Sequence, residues 1–126
     1  MSLQAKHILV VEDAADSREA FAHLLRAEGA EVVTTGSGRE ALEHLGRMPF
    51  AVVLTDLGLP DIPGDILIRE VLAFTLKRPR IVAMTGYGEP YLSRARAAGA
   101  DAVLTKPLEW THLLRELDRQ DESVAA

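Results

Sequence analysis

The sequence predicts a (βα)5 α/β fold, a doubly wound parallel sheet with helices on both faces. Three observations carry this expectation. Short runs rich in Val, Ile and Leu recur five times along the 126 residues. Segments between them repeat apolar residues at i, i+3, i+4 and i+7, the spacing of one helix face. The two kinds alternate along the chain, which is how a parallel sheet covered on both sides is built.

The strand expectations are His7–Val11, Ala30–Thr35, Phe50–Thr55, Arg80–Thr85 and Asp101–Thr105. Their apolar runs do not alternate with polar residues, so both faces should be buried. The first helix stripe is Phe21, Leu24 and Leu25, and the second is Ala41, Leu42 and Leu45. Leu67, Val71 and Leu72 form a third, and Ala95 and Ala98 mark a short, less apolar fourth. Trp110, Leu113, Leu114 and Leu117 form the fifth, with Trp110 and Leu114 expected on the core side. Asp16 with Glu19, and Ser37 with Glu40, read as capping boxes. Pro90 suits the first turn of the fourth helix, and Gly29 and Gly99 stand where C-caps belong.

Right-handed crossovers leave few topologies. The flavodoxin-like strand order 2-1-3-4-5 is the usual one at this size, with its sites at the carboxyl ends of the strands.

Residues 1–126 read as one domain, with a core from about residue 6 to 118 and short flexible ends. Met1, Ser2 and Leu3 could be vector-derived. The chain has no cysteine, which excludes disulfides, zinc thiolates and thiol catalysis and fits a reducing compartment. A net charge of −5 argues against a nucleic-acid surface. The longest apolar runs, Ile8–Val11 and Phe50–Leu54, fall far short of the ~20 residues of a spanning helix. No signal-peptide core opens the chain.

Polar residues gather where the expected sheet would converge. The first strand ends in Glu12-Asp13, the third in Thr55-Asp56, the fourth in Thr85-Gly86 and the fifth in Thr105-Lys106-Pro107. Taken singly, each has an ordinary use as a helix cap, turn residue, strand-end hydroxyl or solvated lysine. Nothing ordinary demands all of them at one end of one sheet. Clustered carboxylates repel unless a cation sits among them. Mg²⁺, which prefers oxygen ligands, is the expected one. Lys106 adds a second positive charge and Thr85 a hydroxyl donor. The set describes a metal-assisted phosphoryl-transfer site. His7, His23, His44 and His112 are scattered and suggest neither a metal cluster nor a phosphodonor.

Four pieces of the sequence, ILVVEDAADSREAF, VVLTDLGLPDIPG, IVAMTGYG and ADAVLTKPL, resemble a two-component response-regulator receiver domain. They stand in the family's order and cover roughly Lys6 to Asp118. The resemblance implies that Asp56 is the phosphoacceptor in a phosphorelay. It implies Mg²⁺ ligation by Asp13, by Glu12 through metal-bound water, by Asp56 and by the backbone carbonyl of Gly58. It further implies Thr85 as the switch hydroxyl, Lys106 as the lysine that pairs with the phosphoryl group, and a cis Lys106–Pro107 bond. The donor would be a phosphohistidine on a sensor histidine kinase or histidine phosphotransfer protein. The chain would not be an enzyme beyond its own phosphorylation and slow dephosphorylation, and would be cytoplasmic. DLGLPD and MTGYGEP look closer to hybrid-kinase receivers. With no DNA-binding domain following, direct nucleic-acid binding is not expected. If part of the last helix stripe were exposed, it could dock a partner or a second copy, a homodimer through helix 4, strand 5 and helix 5.

One departure stands out. The family often has Tyr or Phe three residues before the lysine, and here that residue is Val103. Tyr87, two residues beyond Thr85, could cover the site or be a loop aromatic. A Mg²⁺-dependent aspartyl phosphatase is the competing enzyme reading, but its nucleophile would follow the first strand, with a second acid two residues on. A flavin or nucleotide module would want a Gly/Ser/Thr-rich loop where Glu12-Asp13 stands.

Overall fold

Successive residues of a strand point to opposite faces, so an unbroken apolar run must be buried twice over. The inner strands meet this condition. In β1 (His7–Val11), Ile8 and Val10 join one core while Leu9 and Val11 join the other. In β3 (Val52–Asp56), Val52 and Leu54 face one side and Val53 the other. In β4 (Arg80–Thr85), Val82 and Met84 oppose Ile81 and Ala83. The flanking strands, β2 (Glu31–Thr35) and β5 (Ala102–Thr105), are only partly buried, as sheet edges are.

The computed structural model describes residues 3–119. All strands run parallel in the order β2-β1-β3-β4-β5. On one face, α1 (Ala15–Ala27) and α5 (Trp110–Asp118) bury Leu25, Leu113 and Leu117. On the other, α2 (Gly38–Arg47), α3 (Gly64–Phe74) and α4 (Tyr91–Ala98) bury Ala41, Leu67, Ile68, Val71, Ala95 and Ala98. Each buried leucine removes enough apolar surface to contribute about 2 kcal/mol. Trp110 and Leu114 pack half-buried against the α1/α5 core, as expected of that stripe.

Charged tethers fix α5 at the amino end of the sheet. Arg80 donates to the Glu116 carbonyl at 2.7 Å and to its carboxylate at 2.8 Å. Lys6 donates to the Asp118 carbonyl at 3.3 Å, a cation at the negative end of the helix dipole.

Element ends depart from expectation in informative ways. β2 opens one residue later, because Ala30 N–H is used by the Leu25 carbonyl to close α1. β3 opens two residues later and runs one residue further, with Asp56 paired in register with Met84. β5 opens at Ala102, since the Asp101 carboxylate accepts the Ile81 N–H instead of extending the strand. Gly99 caps α4 with φ +117° and Gly29 follows α1 with φ +94°, conformations that favour glycine. Pro90 stands at the N-cap of α4, one residue before the expected first turn.

The Asp16–Glu19 capping box does not form. α1 starts earlier, with Ala14 at the N-cap and no side-chain cap, which puts Asp16 inside the first turn. Half of the second box forms. Ser37 Oγ accepts the Glu40 N–H at 3.2 Å, but the Glu40 carboxylate takes the Thr35 hydroxyl at 3.0 Å instead of returning to Ser37. Leu3 is fully buried and packs in the α1/α5 core. Met1, Ser2 and the end expected to fray beyond Arg119 lie outside the described residues.

Candidate functional site

The strand order places the carboxyl ends of β1, β3, β4 and β5 side by side. Asp56 closes β3 and Thr85 closes β4, while Glu12 and Asp13 follow β1 and Lys106 follows β5. Carboxylate oxygens of Glu12, Asp13 and Asp56 lie within 4.8 Å of one another. Asp13 is exposed at the mouth, whereas Glu12 and Asp56 are 1% and 8% exposed.

Lys106 ties two of the acids together. Its Nζ donates to Asp56 Oδ2 at 2.5 Å and to Glu12 Oε1 at 3.2 Å. The second Asp56 oxygen, Oδ1, accepts the Gly58 N–H at 2.8 Å. A Cβ on Gly58 would lie 3.5 Å from that oxygen, so the backbone approaches the carboxylate closely there. Both Asp56 oxygens are thus oriented, one by a cation and one by a backbone donor. The Lys106–Pro107 bond is cis, as expected, and so is Glu89–Pro90, which the sequence reading did not anticipate.

Burial raises the Glu12 carboxyl above its ordinary value, and the neighbouring Asp56 raises it further, by hydrogen bonding and by charge. Lys106 opposes this without overcoming it. For Asp56 burial also works upward, but Lys106, the Gly58 N–H and Glu12 together hold it below the usual range. Burial works downward on Lys106, and the pull of Asp56 and Glu12 leaves it raised. Asp56 and Lys106 form an ion pair, and Glu12 is the crowded third member. Its Oε2 is buried without a hydrogen-bond partner among the described residues.

The expected site residues converge, with one qualification. Thr85 Oγ1 accepts the Tyr87 N–H at 3.0 Å, so the hydroxyl is engaged by its own loop. The Tyr87 ring is 68% exposed and lies against Tyr91, centroids 5.5 Å apart, with Arg94 over the Tyr91 ring. Val103 packs half-buried in the same cluster as Ala95 and Ala98 of α4.

Two supporting residues escaped the sequence reading. Asp61 accepts the Gly38 and Arg39 N–H groups at 2.9 and 3.0 Å, capping α2 from the loop that follows Asp56. Arg18 donates to the carbonyls of Glu12 and Asp13. The Asp61 signal, an acid in the loop after the third strand, was visible but had no partner until the fold brought α2 beside it.

This arrangement can hold a hard cation among carboxylates and present an ionised aspartate to an electrophile. The family model described as response regulator receiver domain matches residues 8–118. The two-component response regulator ORR11 of Oryza sativa subsp. indica is 32% identical over 116 residues, covering 90% of this chain and 79% of that protein. The response regulator receiver protein CpdR of Brucella abortus is 31% identical, covering 90% and 95%. Among solved structures, the chemotaxis response regulator CheY4 of Vibrio cholerae matches with TM-score 0.80 at 30% identity, covering 92% of this chain and 98% of that one. The receiver domain of sensor histidine kinase PA1611 from Pseudomonas aeruginosa matches with TM-score 0.83 at 28% identity, covering 91% and 96%, and its structure has a magnesium ion coordinated in the active site cleft. A match over nearly the whole chain, with the acids, hydroxyl and lysine at the ends of adjacent strands, places this chain among the response regulator receiver domains, the phosphoaccepting modules of two-component signalling.

Proposed function

We propose that Asp56 accepts a phosphoryl group from a phosphohistidine of a sensor histidine kinase or histidine phosphotransfer protein. The observation that carries this reading is the wiring of Asp56. Lys106 holds one oxygen, Gly58 N–H holds the other, and the pair keep the carboxylate ionised. An ionised, oriented carboxylate is a competent nucleophile. One Asp56 oxygen attacks phosphorus, so that an O–P bond forms as the P–N bond breaks and the electron pair departs with the imidazole. Lys106 offsets charge on the equatorial oxygens.

The residues present suit Mg²⁺. The buried, unpartnered Glu12 Oε2 and the gathered carboxylates form an oxygen-only donor set short of positive charge. Asp13, Asp56 and the Gly58 carbonyl would hold the ion directly, and Glu12 through water. Bound there, it neutralises the carboxylates and the phosphoryl oxygens.

The acyl phosphate brings about two negative charges into the crevice. The Thr85 hydroxyl then leaves the Tyr87 N–H for a phosphoryl oxygen, and the loop between β4 and α4 follows. The surface of α4, β5 and α5 carries the output, including any homodimer. The domain catalyses only its own phosphorylation and slow dephosphorylation, and works in the cytoplasm. No helix among the described residues is long and apolar enough to cross a membrane.

Incubation with a small phosphodonor and Mg²⁺, followed by intact mass, tests the reading. One phosphate adduct is expected on the wild-type chain and none on Asp56→Asn. An adduct that persists in Asp56→Asn overturns the acceptor, and labelling indifferent to a chelator overturns the metal site.

A further inference from the structure

The acidic loop after β1 is pinned from behind. Arg18 Nη1 donates to the Glu12 carbonyl at 2.8 Å and to the Asp13 carbonyl at 3.3 Å. These two consecutive residues send their carboxylates into the cluster with Asp56. On the side of β2, the Glu12 N–H donates to the Thr35 carbonyl at 3.0 Å. The peptide groups on either side of Glu12 are therefore both held.

Gly36 makes room for the guanidinium. A Cβ at Gly36 would stand 2.9 Å from Arg18 Nη1 and 3.9 Å from the Glu12 carbonyl. Any larger residue there would displace the arginine tip from its carbonyls. The helix dipole does not explain the arginine either, since Arg18 lies near the start of α1, where that dipole disfavours a cation.

Mutually repelling carboxylates on a short loop separate by changing rotamer and by turning the peptides that carry them. A double hydrogen bond to those carbonyls opposes that turn without touching the carboxylates. We propose that Arg18 is a positioning residue for the cation site, fixing the Glu12 and Asp13 peptides so that their side chains stay converged on Asp56, with Gly36 as the space that admits it. This rests on the reading of Glu12, Asp13 and Asp56 as the Mg²⁺ site.

The test uses two readouts on the full chain: Mg²⁺ affinity by calorimetry, and amide hydrogen exchange at Asp13 and Ala14 in metal-free protein. Arg18→Met is expected to weaken Mg²⁺ about tenfold, the size typical of groups supporting metal ligands, and to speed exchange at both amides. Arg18→Lys, with a single donor group, should recover part of the loss. Gly36→Ala asks only a flexible side-chain tip to move, so it should fold and give a similar loss. Because both act through one contact, Gly36→Ala should add nothing in the R18M background. Unchanged affinity and exchange in R18M and G36A would overturn the role of Arg18, as would an equal Gly36→Ala effect with or without the arginine. A wild-type chain that takes up no Mg²⁺, or binds it equally well as Asp13→Asn, would overturn the cation site itself. If R18M fails to fold, G36A and R18K decide the matter.

Discussion

The Thr85 hydroxyl accepts the Tyr87 N–H at 3.0 Å, so the proposed switch side chain is held by the loop it must release. Thr85→Ala removes both that hydrogen bond and the hydroxyl proposed to meet the phosphoryl group. Asp56, Lys106 and Gly58 keep their bonds, so phosphate uptake from a small donor should proceed at close to the wild-type rate. The Tyr87 amide should stop responding to it. Paired heteronuclear NMR spectra with and without phosphodonor check this. A full β4–α4 loop response in Thr85→Ala would refute it.

Glu12 is expected to cost the metal-free domain stability as pH rises above the ordinary carboxylate range. Its carboxyl is raised above 4.5 in the fold, so the folded state holds the proton more tightly than the unfolded chain. The stability this gives is complete below the unfolded value and is lost as pH climbs through the raised one. Asp56 has the opposite sign, since its folded value lies below 3.8 and its contribution is lost only as pH falls through that lower value. Glu12→Gln should raise metal-free stability near neutral pH by about 1 kcal/mol, the scale of an unsatisfied buried polar group. It should also flatten the pH dependence and weaken Mg²⁺ binding. Urea unfolding between pH 5 and 8, with and without chelator, reads all three.

Asp61 fastens α2 to the loop carrying the acceptor. The Arg39 and Gly38 N–H groups lower its carboxyl below 3.8, so its stabilisation is present above that value and fades as pH falls through the lower folded one. Asp61→Ala removes a helix cap of about 1 kcal/mol or less, given its exposed position. The loss should be measurable at pH 6 and should shrink toward strong acid, in chemical denaturation at each pH.

Gly64 opens α3 hard against the chain that leaves Asp56. A Cβ there would stand 2.5 Å from the Leu57 Cα and 2.9 Å from its carbonyl oxygen, both backbone atoms that cannot swing away. Gly64→Ala should cost about 2 kcal/mol by overpacking. It should also slow phosphate uptake, because the Leu57 peptide carries Asp56 on one side and Gly58 on the other. Thermal unfolding and a mass time course separate the two effects.

The apolar runs were legible because β1, β3 and β4 are buried on both faces along most of their length. The ends were less so. Asp16 and Glu19 have the spacing of a cap, yet α1 begins at Ala15, and nothing local says that the loop before it must also aim Glu12 and Asp13. The site's membership could be read because each member ends a strand or follows one directly. Its wiring could not. That Lys106 bridges Glu12 and Asp56, that one Glu12 oxygen lacks a partner among the described residues, and that Thr85 faces Tyr87 all depend on side-chain directions set by packing. Arg18 and Asp61 escaped for a related reason, since their partners are backbone groups, and backbone groups leave no mark in a sequence.

Val103 has a consequence for how motion can leave the site. A β-branched valine keeps to few rotamers and has no ring to swing, and here it packs half-buried against the core cluster that includes Ala95 and Ala98 of α4. Two exposed aromatic rings lie outside instead, Tyr87 on the strap joining β4 to α4 and Tyr91 at the start of α4. Under the proposed switch, the strap between β4 and α4 is then the one lever, where a swinging interior ring would give two.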